Sequence, residues 1–281
     1  MKIRNLKPED LAEVKKLCSM VHWPLTTQDI KRLYELEPDG WFCAEIDNQY
    51  VGQVMGITIG SLGCVGMIIV HEDYRRMGIC TALTTEAVNY LRNKGVKTIR
   101  LDATPDGYNI YKKLGFVDEF SVRHYVKGVV VNSSPLPKIS GVKPLVAADI
   151  EAIIEFDKLL FGVNRAKILK ALFNDSRTFV VKHDNEIQGY VMCRGTTTLC
   201  WLGPLVANDI PSAERLLQQV LRELSDREIR LGVPGINHNA ITLFDKYGFR
   251  AEYEITRMRC GLNLAGENTQ CIFAEAGHEK T

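Results

Sequence analysis

Along the 281-residue chain the apolar positions switch between a helical and a strand-like period, and each switch marks a predicted element. Ile3 to Leu6 predicts a short strand. Pro8-Glu9-Asp10 then opens a helix whose apolar positions Leu11, Val14, Leu17 and Cys18 share one face. Thr26-Thr27 caps a second helix carrying Ile30, Leu33 and Tyr34. Trp41 to Ile46 and Tyr50 to Ile59 flank an Asp47-Asn48 turn and predict a hairpin, and Leu62 to Val70 is the next strand. A helical pattern follows from Ile79 to Asn93 and stops at Gly95. Lys97 to Asp102 predicts a strand, Pro105-Asp106-Gly107 a turn, Tyr108 to Leu114 a short helix, and a final strand pair runs to Lys127.

Residues 129–140 contain Asn132-Ser133-Ser134-Pro135-Leu136-Pro137, polar and proline-bearing, and are expected to be a linker. After it the pattern starts again. Val142-Lys143-Pro144-Leu145 with Asp149-Ile150 echoes Ile3-Arg4-Asn5-Leu6 with Asp10-Leu11, and Phe244-Asp245-Lys246-Tyr247-Gly248-Phe249 echoes Tyr111 to Phe116. The chain is therefore expected to hold one fold twice, in domains 1–128 and 141–261, followed by a tail, 262–281.

Between the strand ending at Val70 and the helix starting at Ile79 lies Arg75-Arg76-Met77-Gly78. The first N–H groups of a helix have no partners within the helix and sit at the positive end of its dipole, so such a turn can hold an anion. Gly78 lets an anion approach the backbone, and the arginines add charge. No Gly-Lys-Ser/Thr and no Gly-x-Gly-x-x-Gly is present, so neither common nucleotide motif fits. A solvated turn is the plain alternative.

Arg75-Arg76-Met77-Gly78-Ile79-Cys80 resembles the pyrophosphate loop of the GNAT acetyltransferase superfamily, Gln/Arg-x-x-Gly-x-Gly/Ala, with Cys80 standing where the family has Gly or Ala. Tyr111-Lys112-Lys113-Leu114-Gly115-Phe116 resembles the family's Tyr-x-x-Leu/Phe-Gly-Phe ending, and the element order matches as well. The resemblance implies tandem GNAT acyl-CoA N-acyltransferase folds of the α/β class, each with a mixed sheet. It implies that acetyl-CoA is the cosubstrate, with Met77, Gly78, Ile79, Cys80, Thr81 and Ala82 on its diphosphate and Met67, Ile68, Ile69 and Val70 along its pantetheine arm. It further implies that the Ile69 N–H donates to the thioester carbonyl and that Tyr111 protonates the departing thiolate; a half-buried packing tyrosine is the alternative for Tyr111.

The general base is open among Asp102, His22 and His71; Asp102 is equally suited to capping the Thr104 to Gly107 turn. His22 and Trp23 could wall an acceptor pocket, or Trp23 could be core. Arg165 and Arg257 could meet an anionic group on the acceptor, with an Asp157–Arg165 ion pair as the structural alternative. In the second copy Ala207-Asn208-Asp209-Ile210-Pro211 has neither basic pair nor glycine, and Phe244 replaces Tyr111, so that copy is expected to have lost productive cofactor binding. The Gly203-Pro204-Leu205-Val206-Ala207 strand end and Arg257-Met258 match a two-copy GNAT subgroup.

The expected activity is N-acetylation of a primary amine on a small or amino-acid-like acceptor; a protein amine acceptor and a non-catalytic acyl-CoA sensor are the alternatives. Lys and Arg total 35 against 34 Asp and Glu, so no nucleic-acid partner is expected. The charged start Met1-Lys2-Ile3-Arg4 shows no leader, and no apolar run spans a membrane, which places the protein in the cytoplasm. Eight scattered cysteines without Cys-x-x-Cys predict buried free thiols and no metal. Monomer and homodimer both remain open.

Overall fold

The structure, a computed structural model, describes residues 1–129, 139–263 and 266–277. Most of the expected linker, residues 130–138, lies outside the described residues. The chain forms two compact units, unit 1 from Met1–Glu119 with Arg257–Asn263 and unit 2 from Phe120–Thr256 with Leu264–Thr281.

Unit 1 starts with β1 (Lys2–Asn5), α1 (Leu11–Met20), α2 (Thr27–Leu36), β2 (Trp41–Ile46), β3 (Gln49–Ile59) and β4 (Leu62–Val70). It continues with α3 (Ile79–Asn93), β5 (Thr98–Ala103) and α4 (Pro105–Lys113). Local chemistry accounts for the starts and stops. Thr26 accepts the Asp29 N–H at 3.0 Å while the Asp29 carboxylate takes the Thr26 N–H at 2.9 Å, a reciprocal cap on α2. At the end of α4 the chain turns at Gly115, and the Phe116 N–H returns to the Tyr111 carbonyl at 3.0 Å. That closure explains why Gly-Phe ends the motif. α3 buries Leu83, Ala87 and Leu91 with Val54, Val65 and Ile99 of the sheet; each large side chain so buried contributes about 1.5–3 kcal/mol.

The strand that follows is one element, β6 (Val117–Lys127), where the sequence pattern predicts a pair. Unit 2 then runs β7 (Val142–Pro144), α5 (Ile150–Phe161), α6 (Ala166–Asp175), β8 (Arg177–His183), β9 (Glu186–Gly195) and β10 (Leu199–Ala207). It is completed by α7 (Ile210–Leu224), β11 (Glu228–Pro234), α8 (His238–Lys246), β12 (Arg250–Gly261) and β13 (Ile272–Ala274). The closing turn of α4 is repeated in α8, where the Phe249 N–H reaches the Phe244 carbonyl at 3.1 Å.

The sheet order shows an exchange. In unit 1 the strands run β1-β2-β3-β4-β5, and the neighbour of β5 is β12, whose residues 257–261 belong to this unit. Thr98 Oγ1 donates to the Leu262 carbonyl at 2.8 Å there. In unit 2 the order is β6-β11-β10-β9-β8-β7, with Ile229 to Pro234 of β11 facing Lys127 to Val122 of β6. The last strand of each repeat thus supplies the sheet of the other unit, whereas the sequence pattern keeps residues 120–127 with the first copy and 257–261 with the second. Both strands mix apolar and polar residues, so their composition alone does not say which sheet they join.

Residues 269–277 also depart from a simple tail. Ile272, Phe273 and Ala274 form β13, all of them at most 3% exposed, and β13 pairs with β10.

Candidate functional site

The turn after β4 has the shape expected of an anion cradle. A 3-10 turn, Glu72–Tyr74, is followed by Arg75 in extended conformation, Arg76 at φ +63° and Gly78 at φ +80°. Gly78 is the N-cap of α3, its left-handed backbone suits glycine, and no side chain caps the helix. A Cβ at Gly78 would find no atom within 4 Å, so the backbone here is open to an approaching group. Arg75, Arg76 and Met77 are exposed around it, while Ile79 is buried and anchors the helix start. The first turn therefore presents the amides of residues 78 to 81 with positive charge beside them.

β4 leads into this turn with one edge open. Its parallel pairing with β5 runs through Leu62↔Thr98, Gly63↔Ile99 and Cys64↔Arg100 and is not continued, although both strands go on. A bulge at Met67, φ +54°, shifts the register against β3 between Gly66 and Ile69. Among the described residues the edge facing β5 is thus free beyond Cys64, and an extended chain can add to it as a strand would.

Which amides face that edge follows from strand parity. The His71 N–H donates to the Val51 carbonyl at 2.9 Å. Residues two apart on a strand present their backbone groups to the same side, so Ile69, opposite Gln53, turns its N–H toward β3. Its carbonyl lies 3.1 Å from where a Gly52 Cβ would stand, on that same side. Val70 faces the other way, and its carbonyl accepts Arg75 Nε at 3.4 Å. The Val70 amide, not that of Ile69, therefore faces the open edge, which corrects the expectation for Ile69.

Tyr111 joins the two motifs. It projects from α4, is 6% exposed, and packs edge-to-face on Phe116 at 6.3 Å. Its ring lies over Gly107, where a Cβ would come within 2.6 Å of Cε2. Its hydroxyl lies near the thiol of Cys80, in the first turn of α3. Burial, and then the neighbouring Cys80, push the Tyr111 hydroxyl well above the ordinary tyrosine value, so it keeps its proton at neutral pH. Burial likewise raises Cys80, partly offset by the neighbouring Thr84 and Tyr111 hydroxyls. The sequence shows Cys80 only as a mild departure from Gly or Ala; that it lies near Tyr111 becomes visible once α3 and α4 are placed.

The other singled-out residues sit as follows. Asp102 neither caps the Thr104 turn nor stands free. Arg257 grips both its oxygens, Nε at 2.8 Å and Nη2 at 2.9 Å, with both side chains nearly fully buried. The same pairing occupies Arg257. Arg165 is likewise taken up within unit 2: its Nε and Nη2 reach Asp157 at 2.9 and 2.5 Å, and Tyr190 donates to the same carboxylate at 2.5 Å. The guanidinium also stacks on Phe161 at 3.8 Å. The structural alternative thus describes that pair. His71 Nδ1 accepts the Asp73 N–H at 3.4 Å and its ring meets Tyr74, at the end of β4. His22, φ +57°, and Trp23 lie in the loop between α1 and α2; Trp23 is 36% exposed and so is not core.

No helix among the described residues is long and apolar enough to cross a membrane. All eight cysteines are free thiols, six of them buried.

Comparison with known proteins places each unit. Residues 9–116 match the family described as "Acetyltransferase (GNAT) family", and residues 153–274 match "Acetyltransferase (GNAT) domain". A holothin acyltransferase of a Pseudoalteromonas species is 24% identical over 268 residues, 93% of this chain and 89% of that protein. An acetyltransferase of Sodalis glossinidius is 32% identical over 129 residues, 43% of this chain and 91% of its own length. Among solved structures, a Pyrococcus horikoshii protein assigned to the acetyltransferases is 25% identical, with TM-score 0.86 over 100% of this chain and 95% of that one.

Proposed function

This chain belongs to the GNAT acetyltransferase family, and on that premise we propose that unit 1 transfers an acetyl group from acetyl-CoA to the primary amine of a small or amino-acid-like acceptor. The observation that carries this reading is the uncapped, open start of α3 at Gly78 with the buried Tyr111 nearby, a proton donor beside a free helix N-terminus.

The residues of unit 1 suit acetyl-CoA. The open backbone at Gly78 and the exposed Arg75 and Arg76 match a diphosphate in charge and in access. The free edge of β4 beyond Cys64 matches an arm rich in amides. When bound, acetyl-CoA supplies an acetyl group activated as a thioester.

Each group of the chain then has a task. The Val70 N–H, facing the open edge, would donate to the carbonyl oxygen as negative charge builds there. Tyr111 holds a proton on its hydroxyl for the sulfur that leaves. The acceptor must attack as the neutral amine, and an alkyl amine of pKa about 10 is mostly protonated at pH 7. Asp102, committed to Arg257, is a poor acceptor for that proton. Its bidentate pair serves instead to fix the end of β5 against β12. The full-length likeness to a protein named for acyl transfer to holothin supports a non-protein acceptor.

The test is thiol release from acetyl-CoA with a panel of amines. Turnover should appear with one class of primary amine and rise with pH until that amine is neutral. Tyr111, raised well above 10, does not limit the alkaline side. Binding of acetyl-CoA with no turnover on any amine, peptides included, would contradict the proposal and favour a sensor.

A further inference from the structure

Unit 2 has a cleft at the place where unit 1 keeps its open strand edge. β10 and β11 pair in parallel through Leu199↔Glu228, Cys200↔Ile229 and Trp201↔Arg230, and then part. In unit 2 the gap is filled. β13 lies antiparallel to β10, with Leu205↔Ala274 and Val206↔Ile272, and on its other side the Glu275 N–H donates to the Gly232 carbonyl at 2.9 Å.

The groups around this strand are aimed at its backbone. Asn237 caps α8 by accepting the Ala240 N–H at 3.0 Å, and its Nδ2 reaches the carbonyls of Thr269, Gln270 and Ile272 at 3.0, 3.2 and 2.9 Å. Asn237 is fully buried. Arg194 spans the other end, with Nη2 on the Ala276 carbonyl at 2.8 Å and Nη1 on the Gly203 carbonyl at 3.0 Å. Gly203 itself is required by the strand. A Cβ there would stand 1.9 Å from the Glu275 carbonyl oxygen, so no larger residue leaves room for the segment. The Gly-Pro-Leu-Val-Ala motif thereby acquires a role that cofactor binding does not give it.

We propose that the β10–β11 cleft of unit 2 is a peptide-binding groove, and that its resident ligand is the chain's own segment 269–277, seated by strand addition. The inference stands on unit 2 alone and does not depend on acetyl transfer by unit 1. Recognition is mainly of main-chain groups, read by Asn237, Arg194 and Gly232. Selectivity comes from the buried Ile272, Phe273, Ala274 and Ala276 side chains, which demand apolar residues here, with small ones either side of the buried Glu275.

Phe273→Asp in the full chain tests this, because it unseats the resident strand and leaves the groove residues intact. A labelled synthetic peptide of residues 266–277 should bind that variant one to one and should not bind the wild-type chain. Adding Asn237→Ala should weaken the binding about tenfold or more, since buried carbonyls lose their donor. Wild-type chain that binds the peptide as well as the variant does, or folded variant that binds none, overturns the proposal. Should Phe273→Asp not fold, the thiol of Cys271, 7% exposed, reports the same groove. Asn237→Ala in the otherwise native chain should speed its alkylation about tenfold or more relative to wild type; an unchanged rate overturns the proposal.

Discussion

The helices α3 and α7 follow equivalent strands and begin in opposite ways. α3 starts behind a left-handed Gly78 with no side chain on its amides and two exposed arginines beside it. α7 starts at Asp209, whose carboxylate takes the Ser212 N–H at 2.7 Å, and Pro211 has no N–H to offer. One helix start leaves its donors uncapped and the other satisfies them internally. The neighbouring clefts repeat the contrast: the β4 edge is open beyond Cys64, while the β10 edge carries β13. At the third position Tyr111 is answered by Phe244, fully buried and packed edge-to-face on Phe249 at 5.3 Å. On the proposed function, the duplicated fold keeps one copy's polar groups for chemistry and turns the other copy's inward for stability.

The sharpest way to erase this difference is Tyr111→Phe, which gives unit 1 the residue of unit 2. Loss of a positioned general acid should lower kcat by about a hundredfold or more while acetyl-CoA affinity is retained. Calorimetry and steady-state rates on the same preparation check both halves. Next in size is removal of the charge at the turn. Arg75→Ala with Arg76→Ala should weaken acetyl-CoA about tenfold or more, and the difference from wild type should shrink as salt is raised.

Asp209→Ala probes the opposite side. It removes a cap and should cost about 1 kcal/mol of stability in denaturant unfolding, with acetyl-CoA binding unchanged. The smallest effects belong to a pair of echoed aspartates. Arg4, at 2.6 Å, holds the Asp10 carboxyl below its ordinary 3.8, and Lys182, at 2.8 Å, does the same for Asp149. Each carboxylate is therefore bound more favourably in its ionised form when folded. Its stabilisation is complete above pH 3.8 and is lost as pH falls through the lower folded value. Asp10→Asn and Asp149→Asn should each flatten the acid limb of a stability-versus-pH curve, and a limb as steep as wild type would show that these pairs do not matter.

Much of this contrast was legible in the sequence because it rests on local chemistry. The Gly78 turn, the Asp209 and Pro211 start of α7, and the substitution of Phe244 for Tyr111 are all set by residues adjacent in the chain. The strand and helix order followed from periodicity for the same reason. What stayed hidden depends on pairing between distant segments. The destination of β6 and β12 is a choice between two sheet edges that their mixed composition does not decide. The Asp102–Arg257 pair joins residues 155 apart, and β13 spans only Ile272–Ala274, too short to show a period. That the Val70 amide, not that of Ile69, faces the open edge was hidden because strand parity depends on register, and a bulge at Met67 interrupts it.

A photoreactive acyl-CoA analogue, crosslinked to the full chain and mapped by peptide mass, tests the asymmetry most directly. The label should fall in unit 1, on residues 67–82 or on Tyr111, at one equivalent per chain, and acetyl-CoA should compete it away. Label on residues 203–212, beside Asp209, or two competable equivalents per chain, would contradict the account.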